Sequence, residues 1–76
     1  DGVYLIGPIA FSPDRDLVAV QEAIGKIRIF SLHTGKTVAV LAGHLRYITS
    51  LNFTLDGTLL ISSSADGTIR FWGINP

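Results

Sequence analysis

His44, Ser62 and Asp66 are the residue types of a hydrolytic triad, in which imidazole takes the proton of a hydroxyl nucleophile and a carboxylate orients the ring. Their setting argues against that chemistry. Ser62 follows the apolar run Leu59-Leu60-Ile61 and precedes Ser63-Ser64, and no Gly-x-Ser-x-Gly elbow lifts it to a surface. Gly35-Lys36-Thr37 has the form of the end of a phosphate-binding loop, but Phe30 stands where that motif needs its first glycine and no helical pattern follows. His33 and His44 have no cysteine or carboxylate at metal-ligand spacing, so neither a metal nor a cofactor is expected. Asn52-Phe53-Thr54 is formally a glycosylation sequon, yet it falls on a predicted inner strand.

The bulk properties exclude several classes of partner. Six Lys and Arg balance six Asp and Glu, so the chain lacks the basic footprint that nucleic acid or an anionic membrane requires. The longest apolar stretch, Val3 to Phe11, is far too short to span a bilayer and is broken by Gly7-Pro8. With no cysteine there is no disulfide framework, which fits a reducing compartment; a soluble, cytoplasmic chain is expected. At 76 residues, 47% of them hydrophobic, it can build only a small core. It also lacks methionine, even at its first position, and so reads as a processed or excised portion of something longer.

The elements that must position these residues come from a repeat. A single offset of 42 superposes Phe11, Asp14 and Leu17 on Phe53, Asp56 and Leu59. The same offset carries Ala23, Gly25, Ile27 and Arg28 onto Ala65, Gly67, Ile69 and Arg70, and Phe30 onto Trp72. That period is the size of one four-stranded propeller blade. Short β-branched and aromatic runs between turn signals predict an all-β chain. Its strands are placed at Val3 to Phe11, Leu17 to Gln21, Lys26 to Ser31, Lys36 to Leu41, Tyr47 to Phe53, Thr58 to Ser63 and Thr68 to Trp72. Gly7-Pro8 should bend or shorten the first of these, because proline removes a ladder donor. Runs such as Val38-Ala39-Val40-Leu41 are apolar on both faces, so both faces of each sheet are expected to be covered, as stacked blades cover one another.

The second repeat resembles the WD40 repeat family. It carries Gly43-His44, Ile48-Thr49-Ser50-Leu51-Asn52-Phe53, Asp56-Gly57, Leu59-Leu60-Ile61-Ser62 and Asp66-Gly67-Thr68-Ile69-Arg70-Phe71-Trp72, with Trp72-Gly73 where the family often has Trp-Asp. The resemblance covers the whole chain and implies two units, residues 1–42 and 43–76. It further implies one complete four-stranded blade plus the inner three strands of a second, whose outermost strand is missing. The family pattern also implies a buried hydrogen-bonded tetrad of His44, Ser62, Asp66 and Trp72. The first repeat has Gly2, Val20, Ile24 and Phe30 at those places, so it must rely on apolar packing.

By the same pattern Arg46, Tyr47, Thr49 and Ala65, with Leu5, Gly7 and Ala23 from the first repeat, would line the narrow top face. Tyr47 and Arg46 are the favoured anchors among them, since aromatic and arginine side chains dominate interface energetics. The resemblance therefore implies a non-catalytic interaction or scaffold segment whose partners are other proteins and further blades in cis or in trans. Two alternatives stand beside it. Three or four chains could close a six- or eight-bladed ring, or the segment could be an accessory region of an enzyme whose catalytic domain lies elsewhere.

Overall fold

The computed structural model describes residues 7–74. Among them are seven strands: β1 Ile9–Phe11, β2 Leu17–Ala23, β3 Lys26–Ser31, β4 Thr37–Ala42, β5 Ile48–Phe53, β6 Leu59–Ser64 and β7 Ile69–Gly73. They form two antiparallel sheets, one ordered β1-β2-β3-β4 and the other β5-β6-β7. The first has the four strands of a propeller blade and the second has three. No helix among the described residues is long and apolar enough to cross a membrane.

Local chemistry sets the strand limits. β1 has three residues because Gly7-Pro8 ends the ladder before Ile9; the expected strand residues Val3 to Ile6, and Leu5 with them, lie outside the described region. β2 runs two residues further than its apolar pattern suggests, because a bulge at Glu22 lets Ala23 still pair with Lys26. Tyr47 stands just outside β5 and Lys36 just outside β4, where their backbones turn into loops.

At the end of the first hairpin, the Asp14 carboxylate accepts from the Asp16 N–H at 2.9 Å and the Ser12 hydroxyl at 2.6 Å. One repeat later Asp56 accepts in the same way from Thr58 N at 3.0 Å and Thr54 Oγ1 at 2.7 Å. These bonds hold the Asp56 carboxyl down at about 2, with the Thr54 hydroxyl the largest cause. The left-handed residue of the turn is Gly57 (φ 74°) in the second repeat and Arg15 (φ 63°) in the first.

Register sorts each sheet into two faces. Ala10, Ala19, Ile29 and Ala39 stand opposite one another across the four strands and so share a face. In the second sheet Phe53, Leu60 and Trp72 share one. These two faces meet: Ala10, Leu17, Ala19, Ile27 and Ile29 of the first sheet form a single core with Ile48, Leu51 and Leu60 of the second, and Phe53 and Trp72 pack against it. A polar bond crosses between the sheets, from the Ile48 N–H to Gln21 Oε1 at 2.8 Å.

Candidate functional site

His44 lies in the link between β4 and β5, Ser62 sits mid-β6, Asp66 lies in the β6–β7 turn and Trp72 is on β7. The structure brings the four together. Trp72 Nε1 donates to Ser62 Oγ at 2.9 Å, and Ser62 Oγ lies 2.7 Å from His44 Nε2. His44 Nδ1 is 3.0 Å from Thr68 Oγ1 and 3.4 Å from Asp66 Oδ2. The His44 and Trp72 rings meet edge to face, with centroids 6.4 Å apart.

Counting protons fixes the direction of this chain of bonds. The Thr68 hydroxyl donates to Asp66 Oδ1, so Thr68 Oγ1 can only accept from His44 Nδ1–H. That tautomer leaves Nε2 to accept from the Ser62 hydroxyl, whose oxygen takes the indole proton. Asp66 also accepts from the Leu45 N–H at 2.8 Å and the Thr68 N–H at 2.9 Å. The Thr68 hydroxyl and then the Leu45 N–H hold its carboxyl well below the usual carboxylate range. No buried side-chain nitrogen or oxygen among the described residues lacks a partner.

The 2.7 Å His–Ser pair has the length of a base and its nucleophile. Ser62 nevertheless has no exposed surface, and its oxygen is committed to Trp72. What the network does mechanically is tie the β4–β5 loop to the β6–β7 turn and both to the sheet. Among the described residues, no group of three or more His, Cys, Asp or Glu could hold a metal ion.

The other predicted residues collect at one end of the two sheets. The strand register puts the β2–β3 turn, the β4–β5 loop and the β6–β7 turn there together with the start of β1. Gly7, Ala23, Arg46, Tyr47, Thr49 and Ala65 are all exposed on this end. Tyr47 O accepts from Ala65 N at 3.0 Å, and Thr49, the extra residue of a bulge in β5, bonds through its hydroxyl to Ser63 Oγ at 2.8 Å. Gly25 turns back so closely on the loop that a Cβ there would lie 2.1 Å from the His44 carbonyl oxygen.

The profile described as WD domain, G-beta repeat, matches residues 35–73. The chain belongs to the WD40 family. It is similar to Periodic tryptophan protein 2 of Arabidopsis thaliana, 31% identical over 64 residues that make up 84% of this chain and 7% of that protein. It is 37% identical over 65 residues to WD repeat and SOCS box-containing protein 1 of Mus musculus, covering 84% and 15%. To COMPASS component SWD1 of Saccharomyces cerevisiae it is 35% identical over 71 residues, covering 88% and 17%. It therefore spans less than a fifth of the length of these curated relatives. Among solved structures it resembles the computationally designed Ika4 protein, with a TM-score of 0.79, 29% identity and 91% of this chain on 41% of that one. The designed Ika8 protein gives a TM-score of 0.76 at 30% identity, covering 87% and 20%.

Sequence reasoning missed three residues. Thr68 stands between His44 and Asp66 in the WD40 network; the repeated Asp-Gly-Thr of 56–58 and 66–68 signals its turn but not its bond to His44. Leu45 and Ile24 are among the exposed apolar side chains at the turn end, at 84% and 59% exposure. Ile24 was visible as the residue standing where the second repeat has Asp66, but only the Gly25 contact brings its turn beside the β4–β5 loop.

Proposed function

We propose that this chain is a non-catalytic interaction segment that offers the turn end of its blades to a protein partner. The observation that carries this reading is the grouping of Ile24, Leu45 and Tyr47, all more than half exposed, with Leu45 and Tyr47 on a loop that backbone bonds already tie to the β6–β7 turn. Exposed apolar side chains on pre-ordered loops lose little entropy on binding, which is what makes a surface an interface. Arg46 stands beside them with no carboxylate partner among the described residues. The partner that fits is an extended protein segment carrying a carboxylate next to an aromatic or branched aliphatic residue. The balanced net charge favours protein over nucleic acid, and a relative named as a COMPASS component is in keeping with membership of an assembly.

Peptides selected from a random library on the immobilised chain should converge on that pattern. Their Kd, measured by titration calorimetry, should weaken about tenfold or more on Tyr47→Ala and on Arg46→Ala, which is ~1.4 kcal/mol or above, as expected of an interface anchor. Unchanged affinity in both variants, with circular dichroism showing intact sheets, would remove this end as the docking surface.

A further inference from the structure

Among the described residues the two sheets have four edges with no paired strand: β1 and β4 bound the first, β5 and β7 the second. These edges differ. β1 and β5 lie beside each other, and β1 is only three residues long after Gly7-Pro8. β7 carries Arg70, and a four-stranded blade still has a place for one more strand beside it. β4 closes a sheet that already has its four strands, so further blades stack on that sheet's faces and leave its outer edge uncovered.

The β4 edge has the composition that exposed edges avoid. Thr37-Val38-Ala39-Val40-Leu41-Ala42 holds no charge, no proline and no glycine, and Val38 and Val40 are 46% and 45% exposed. A bulge at Val38 is its one interruption and leaves Ala39 to Ala42 in regular pairing with β3. In an antiparallel ladder alternate residues turn their N–H and C=O away from the partner strand, so β4 presents a row of donors and acceptors outward. The spacing of that row suits an extended strand.

Charge says more about that strand. Lys36 stands immediately before β4, and Lys26 stands opposite Ala42 at its far end. Neither has a carboxylate partner among the described residues, whereas Arg28 is held by Glu22. An acidic residue opposite Lys36 makes a direct cross-strand pair. An acidic residue opposite Ala42 lies two strand spacings of about 4.8 Å each from Lys26, and the small alanine side chain leaves the way open between them.

We infer that the outer edge of β4 takes an extended segment of a partner protein as a fifth strand, antiparallel to β4, with aliphatic residues in its middle and a carboxylate at each end. Main-chain bonds to the edge supply the affinity, and the two lysines set the register. This surface shares no residue with the turn end proposed above, and each can fail without the other.

The probe is a capped, dye-labelled peptide, Glu-Val-Val-Val-Thr-Val-Glu, titrated with the full chain and followed by fluorescence anisotropy. N-methylating one alternate set of its residues should abolish binding, and N-methylating the other set should change it less than about threefold, since only one edge of an added strand faces β4. Lys36→Glu and Lys26→Glu should each weaken binding about fivefold or more. A peptide with lysine in place of both glutamates should bind the double variant about as tightly as the parent peptide binds the original chain. Val40→Lys charges the edge at a position outside the core and should abolish binding with the sheets intact by circular dichroism. Failure of the parent peptide to bind at millimolar concentration would overturn the inference, as would equal binding of both methylated peptides or binding that survives Val40→Lys in a folded chain. A chain that runs as a dimer by light scattering, and as a single copy on Val40→Lys, would overturn it too by giving the edge to a second copy.

Discussion

The Ser62 oxygen is the residue on which the buried network turns, since it both receives the indole proton of Trp72 and faces His44 Nε2. Removing it strands a buried donor and a buried acceptor, each costing about 1–3 kcal/mol when left unsatisfied. Ser62→Ala should therefore lower unfolding free energy by about 2–4 kcal/mol. Trp72→Phe gives up the N–H as well as some packing, and in the Ser62→Ala background one of its two losses has already been taken. A double-mutant cycle in urea should show a coupling of about 1 kcal/mol or more between the two positions. Strict additivity would mean that the indole bond contributes nothing. The first repeat illustrates the same physics, because Val20 and Phe30 replace both partners with apolar groups and strand neither. The four residue types of the network were legible from their places in the repeat. Thr68 was not, because a hydroxyl two residues beyond an aspartate usually serves only its own turn, and here that hydroxyl also accepts from a histidine 24 positions away.

Among the elements, strand order and most strand limits followed from β-branched runs and turn residues, whereas the bulges did not. Glu22, Val38 and Thr49 are each an extra residue in the pairing, and nothing in their side chains announces it. The turns offer a sharper comparison. Gly25 and Gly67 hold the same place in the two repeats, both with positive φ, at 74° and 88°. Turn strain alone would make them equally intolerant of alanine, at roughly 1–2 kcal/mol. Their surroundings differ, since a Cβ at Gly25 meets the His44 carbonyl and a Cβ at Gly67 meets nothing within 4 Å. Gly25→Ala should thus cost at least about 1 kcal/mol more than Gly67→Ala in the same denaturation assay, because backbone must shift as well. Equal costs would show that the β2–β3 turn does not press on the neighbouring blade in solution.

At the scale of the whole molecule, the repeat offset was enough to say that faces were left over, but which side chains occupy them needed the register. An error of one residue in any strand would have exchanged the open face with the buried one. The faces so identified also fix the kind of force by which a neighbouring blade is held. The second sheet's open face bears no charged residue among Ser50, Asn52, Ile61, Ser63, Ile69 and Phe71, and the first sheet's carries Lys26 and Arg28, the latter paired with Glu22. A blade stacked on the second sheet's face is therefore held by apolar burial, while one stacked on the first also meets the two basic side chains at the start of β3.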